Sequence, residues 1–161
     1  MNHWASEVWQ TIQAEFSDLS DISHVTRVVL RLTLASLLGG LLGVEREHRG
    51  KSAGVRTHML VASGAALFVL IPQQAGVSDG ELMRVLQGLV AGIGFLGAGS
   101  IIKSTGTEQV TGLTTAAGIW FTAAIGVAAG MGREASAVLS TLLALIILSL
   151  VPKLPTFKDG H

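Results

Sequence analysis

The sequence predicts an all-α, polytopic helical membrane protein: five transmembrane helices, preceded by an amphipathic N-terminal helix at the membrane interface. Three observations carry that prediction. First, 49% of the 161 residues are hydrophobic and only 14% charged, against about a quarter charged in an ordinary soluble domain. Polar groups this scarce cannot cover a globular surface. Second, the charges are clustered, and the gaps between clusters have the length of membrane spans. Third, no stretch alternates polar and apolar residues as an amphipathic strand does, so backbone groups in lipid must bond within helices.

Residues 1–24 form an extracytoplasmic segment with Glu7, Glu15, Asp18 and Asp21 and neither Lys nor Arg. A cleavable signal peptide begins basic and then turns apolar, so this N-terminus is expected to be retained. Trp4, Val8, Ile12, Phe16 and Leu19 recur at helical spacing. That pattern suits a helix on the outer interface with tryptophan at headgroup depth. The segment lacks a basic face, which makes docking on the protein's own bundle an equal alternative.

A helix needs about 20 apolar residues to cross the hydrocarbon. Spans are expected at 25–44, 56–72, 85–102, 111–130 and 134–152, together one transmembrane domain over 25–152, with a short cytoplasmic tail at 153–161. Pro72 is expected to end the second span, because proline cannot continue a helix ladder. Short connections place sequential spans side by side. Direction follows from the basic residues. Arg46, Arg49, Lys51, Arg56, Lys103, Lys153 and Lys158 fall on one side of the alternating spans, while the opposite loops carry only Arg84 and Arg133. The positive-inside rule then puts the N-terminus outside and the C-terminus in the cytoplasm. Arg31 lies about 9 Å inside the first span. An unpaired arginine near the centre would cost about 2.5–3.5 kcal/mol, so Arg31 is expected to pair with Glu134 or Asp21.

Two motifs are decoys. Gly50-Lys51-Ser52 looks like the end of a phosphate-binding loop, but the required earlier glycine is Glu45, and a membrane helix precedes it instead of a strand. Gly92, Gly94, Gly97 and Gly99 include the spacing of a dinucleotide fingerprint inside an apolar span. In a membrane helix such glycines serve close packing; a functional broken helix is the other reading. Two small-residue stripes support packing: Ala35, Gly39 and Gly43 in the first span, and Gly118, Thr122, Gly126 and Gly130 in the fourth. They are expected to meet within a subunit or between subunits, and a homo-oligomer, with a dimer favoured, is expected.

Two corners stand out. Gly54 to Thr57 and Gly112 to Thr115 both read Gly-x-x-Thr opening a helix, and both face the cytoplasm in this topology; duplication and coincidence account for the echo equally well. The first corner, Gly43–His58, is expected to carry function through Glu45, Arg46, Arg49, Arg56 and Thr57. Glu45 falls at a helix C-terminus, where the dipole disfavours a carboxylate. Arg56 is the expected partner, tying two helix ends together and leaving Arg46 and Arg49 for lipid phosphates or a partner's acidic face. His48 and His58 read as solvated interfacial residues. The second corner contributes Gly112, Thr114, Thr115 and Trp120.

Some classes are excluded. Net charge is zero and there is no cysteine, so nucleic acid is not an expected partner, and disulfides and thiolate metal sites are impossible. No enzyme is expected, and neither a cofactor nor a metal. Glu45 and Glu47 are the only close carboxylates at a membrane face, and on a helix they point about 200° apart.

The stretches "GGLLGVEREHRGKSAGVRTHMLVASGAAL", "GIGFLGAGSI" and "VTGLTTAAGIWFTAAIGVAAGMG" occur in that order. Together they resemble the MgtC/SapB family of bacterial membrane proteins over about residues 25–152. The resemblance implies a five-span core in the bacterial inner membrane and an association with growth under magnesium limitation and, in pathogens, with virulence. The family pattern falls on Glu45, Arg46, Gly54, Arg56 and Thr57, and on Gly92, Gly94, Gly97, Gly99, Gly112, Thr114, Ala116, Ala117 and Trp120. It implies a regulator that acts on membrane ATPases or transporters within the bilayer. The alternative is a cation transporter or channel through a glycine-broken helix bundle, with Ser63, Ser100, Thr122, Ser140 and Thr141 as its polar groups.

Overall fold

The computed structural model describes residues 3–15, 21–103 and 110–153. They fall into two compact units, Met1–Leu30 and Arg31–His161. Phe16 and Leu19 of the amphipathic pattern, Lys158 and most of the tail lie outside the described residues.

In the first unit, α1 (His3–Glu15) carries Trp4, Val8 and Ile12 exposed along its length. Helix α2 (Ile22–His48) begins just after Asp21. The Asp21 carboxylate accepts from the Ser23 amide and the Ser23 hydroxyl, both at 2.9 Å, which satisfies one of the open donors of the first turn. Those hydrogen bonds hold the Asp21 carboxyl below its ordinary range.

The second unit contains the rest of α2, then α3 (Val55–Gln74), α4 (Asp79–Ala98), α5 (Leu113–Gly130) and α6 (Glu134–Leu150), closed by a 3-10 turn at Val151–Lys153. Helices α2 to α5 are long and apolar enough to cross a membrane; α6 is apolar but shorter, at 17 residues. The all-helical expectation misses one detail. Between α4 and α5 two short strands, β1 (Ile102–Lys103) and β2 (Val110–Thr111), pair antiparallel. The span expected to run to residue 102 therefore ends at Ala98.

Pro72 does not end α3. The helix runs on to Gln74, with the proline in its last turn. The ending is made instead by Gly76, whose φ of 69° lets its amide reach the Gln73 carbonyl and the Val77 amide reach that of Pro72. Helix α4 opens with a capping box. The Ser78 hydroxyl accepts from the Glu81 amide, and the Glu81 carboxylate accepts from the Ser78 amide at 2.9 Å.

Helix α3 is gripped on two flanks. On one, a methyl group at Gly39 would lie 2.5 Å from the His58 carbonyl oxygen, and one at Gly43 would lie 2.5 Å from the Val55 Cα. On the other, a methyl at Gly126 would overlap the Ala62 carbonyl, and one at Gly130 would come within 2.5 Å of that of Ala66. Both predicted stripes are packing surfaces within one chain. They do not meet each other, because α3 lies between them. A core of Ala35, Leu38, Leu42, Ala62, Ala66, Ile125, Ala129, Ala137 and Ala144 joins α2, α3, α5 and α6.

The glycine-rich part of α4 behaves differently. The helix is unbroken through Gly92, Gly94 and Gly97, so the broken-helix reading fails. Gly97 packs on Ala116, 3.5–3.7 Å from an added methyl, while Gly92 and Gly94 have open space beside them. At the end of the bundle that carries the α3–α4 and α5–α6 turns, Arg31 is paired as expected. Its Nη1 donates to the Gly130 carbonyl at 2.9 Å and to Gln73 Oε1 at 3.3 Å, and its Nε stands 4.0 Å from Glu134. One guanidinium thus joins α2 to the ends of α3, α5 and α6.

Candidate functional site

The other end of the bundle gathers the charged corner. Helix α2 ends at His48, and the chain turns away at Gly50, which adopts φ 64°. The Gly50 amide donates to the Glu47 carbonyl at 2.9 Å and the Lys51 amide to that of Arg46 at 3.0 Å. This is a helix-ending motif, so Gly50-Lys51-Ser52 is a C-cap and not a phosphate loop. Gly54 precedes α3 and has no side chain to cap it. Glu47 supplies the missing acceptor: its Oε2 takes the Val55 amide at 2.9 Å.

That arrangement corrects the expected Glu45–Arg56 tie. Glu45 turns back along its own helix, with Oε1 3.2 Å from Arg49 Nε and Oε2 3.6 Å from Arg46 Nη1. Arg56 is exposed. Residues four apart on a helix are neighbours, and Arg49 is already beside Glu45 before α3 is reached. The link between the two helix ends exists, but Glu47 makes it. Arg49 also donates to the Ser149 carbonyl of α6 at 3.3 Å.

Burial separates the members of the corner. The Arg46 side chain is only 4% exposed, whereas Arg49 and Lys51 are exposed. Arg46 Nε and Nη2, both Glu45 carboxylate oxygens and His58 Nε2 are buried with no hydrogen-bond partner among the described residues. His58 is 1% exposed, against its reading as a solvated residue. Its Nδ1 donates to the Gly54 carbonyl at 2.9 Å. A carbonyl can only accept, so Nδ1 carries a hydrogen and Nε2 is the free nitrogen.

Two cavities open here. One, of about 360 Å³, is lined by Arg46, Arg49, Lys51 and Thr114 with Ile147, Leu148, Val151 and Pro152. The other, of about 220 Å³, is apolar and lies between Leu42, His58, Gly118, Phe121 and Ala144. Thr114, Ile147 and Leu148 line both. The two Gly-x-x-Thr corners accordingly adjoin one cavity, through His58 and Thr114. They are not conformationally alike: Gly54 has φ −101°, whereas Gly112 has φ 94° and leaves no room for a Cβ against the Ser100 carbonyl. Thr115 is buried beside them, and Thr57 is half-buried. Trp120 faces away from this cluster, into a cleft with Leu89 and Ile93 of α4.

Glu47 and His58 are the members that sequence reasoning left out of the site. The signal for Glu47 was a helix opening on a glycine, which needs a borrowed cap. For His58 it was its place one turn after Gly54, where the ring reaches the same carbonyl that accepts its own backbone amide.

Comparison with known proteins places these features in a family. The model of the MgtC family matches residues 32–157. The chain is 46% identical to Protein SrpB of Synechococcus elongatus over 130 residues, 74% of this chain and 71% of SrpB. It is 38% identical over 138 residues to a protein of Escherichia coli K12 named putative magnesium transporter YhiD, 81% of this chain and 62% of YhiD. It is 44% identical over 117 residues to Protein MgtC of Salmonella typhimurium LT2, 73% of this chain but 49% of MgtC. The match thus spans less than two thirds of YhiD and about half of MgtC. No solved structure matches.

Proposed function

We propose, from the premise that the chain belongs to the MgtC family, that it is a regulatory membrane protein. In this reading it adapts a bacterium to low magnesium by binding membrane ATPases or transporters in the inner membrane. The observation that carries the reading is the double grip on α3. Gly39 and Gly43 press on one flank and Gly126 and Gly130 on the other, backbone against backbone, which closes both flanks of that helix at those positions. Magnesium dehydrates reluctantly and favours carboxylates, and α3 to α6 carry none away from their ends. Thr122 and Thr141 donate their hydroxyls to carbonyls of their own helices at 2.8 and 2.9 Å. A regulator needs a surface, and α4 presents one where Gly92 and Gly94 stand open. A second copy of the chain or a partner's helix packs closely on such a face.

The name of YhiD, a putative magnesium transporter, favours transport as the second reading. Purified protein in liposomes loaded with a magnesium indicator separates the two. The regulator gives no flux above empty vesicles, and crosslinking in cells through position 92 recovers a membrane ATPase or transporter. Magnesium flux abolished by Glu45→Gln overturns it.

A further inference from the structure

We propose that the basic end of the bundle is a binding site for an acidic phospholipid. Its phosphate sits on Arg46 and one acyl chain lies in the apolar cavity between α2, α5 and α6. The inference stands whether the chain regulates or transports.

Arg46 is the starting point. Its guanidinium is nine-tenths buried, yet Nε and Nη2 have no acceptor among the described residues. The one carboxylate at hand among the described residues, Glu45, approaches Nη1 at 3.6 Å, outside hydrogen-bond range, and is shared with Arg49. A buried charged donor left unmade is costly. A planar guanidinium with two free N–H groups on one edge matches two oxygens of one phosphate.

The surrounding charge points the same way. Arg46, Arg49 and Lys51 line the larger cavity, and Glu45 is the acid paired with the two arginines, so three positive charges face one negative and the site carries an excess of two. Glu47 keeps its negative charge but does not line the cavity; its carboxylate is held across the corner at the Val55 amide. Basic pockets between helices at a membrane face are places where anionic headgroups bind.

The second cavity decides between a lipid and a free anion. Inorganic phosphate would use only the chamber at Arg46. The apolar chamber shares Thr114, Ile147 and Leu148 with it and continues past Phe121 and Ala144. An amphiphile with a phosphate at one end fills both. An acidic peptide segment of a partner would meet the arginines but would have to bury its polar backbone in the apolar chamber.

The test uses the full chain, purified in a non-ionic detergent and stripped of lipid. Its melting temperature is followed while short-chain phosphatidylglycerol, short-chain phosphatidylcholine or inorganic phosphate is titrated in. Phosphatidylglycerol raises the midpoint saturably, and the other two do not. Arg49→Gln and Lys51→Gln, both at exposed positions, each weaken the apparent affinity by about fivefold. Ile147→Trp, also exposed but lining both cavities, weakens it without changing the charge. Arg46→Gln abolishes the effect, and the other three variants carry the test if that protein does not fold. Equal protection by phosphatidylcholine overturns the proposal, as does protection by inorganic phosphate as strong as that by lipid. Unchanged binding in the Arg49, Lys51 and Ile147 variants overturns it too, as does a photo-crosslinker at position 51 that captures protein and no lipid.

Discussion

Two glutamates two residues apart do unlike work. Glu47 is a borrowed cap, holding the first amide of α3 across a tight corner. Glu45 neutralises part of a buried arginine. Glu47→Ala is expected to cost about 1 kcal/mol, the ordinary worth of a helix cap, read as a lower thermal midpoint in detergent. Glu45→Gln is expected to cost more, about 1–3 kcal/mol, since it strips Arg46 of the only carboxylate beside it among the described residues. Arg56→Gln is expected to do little. The Glu45→Gln and Arg56→Gln effects add in the double variant, because the two side chains do not touch; a measured coupling between them would restore the pair that the sequence suggested. The charged corner was legible as a cluster from the order of its residues. Its pairing was not, because Glu45 has Arg49 one turn ahead on its own helix. A partner four residues away is met before one across a loop. The burial of His58 was hidden for a related reason: it depends on α5 arriving beside the ring, where a methyl added at Gly118 would lie 3.7 Å from Nε2.

Among the elements, the glycines divide by what they touch. Gly126→Ala must push α3 and α5 apart, since its methyl has nowhere to go but into the Ala62 carbonyl. An overpacked contact of this kind costs about 1–3 kcal/mol. Gly92→Ala meets open space and is expected to leave the monomer's thermal midpoint unchanged or raised, because alanine is the better helix former. Equal loss in both variants, measured side by side in detergent, would show that the close contact is not where the packing energy lies. The spacing of four residues announced both glycine stripes in the sequence. What received them was hidden, because α3 answers with alanines at Ala62 and Ala66, and alanine in an apolar run marks nothing. The glycines of α4 were over-read. Glycine permits a break but does not make one, and the ladder holds wherever every carbonyl still finds its amide. The strand pair after Ala98 was missed because strands of two residues have no period to detect.

At the scale of the whole molecule, the alternation of helices puts Arg46, Arg49 and Lys51 at one end and the Arg31 junction at the other. Basic residues near a membrane mark the cytoplasmic side, so cysteine at Ser52 is expected to resist an impermeant thiol reagent in intact cells, while cysteine at Ala75 reacts. The reverse labelling would invert the molecule in its membrane. The double grip on α3 also has a consequence for how the protein is made. The flank contacted by α2 finds its mate as soon as α3 emerges, but the opposite flank waits for Gly126, which is 126 − 62 = 64 residues after Ala62. At a synthesis rate of about 5–20 residues per second that wait lasts roughly 3–13 s. Through it the newborn helix stands half-clasped in the membrane, and a chain whose translation stalls before α5 is left for the proteases of the bilayer. The bundle is at its most fragile while the ribosome is still attached.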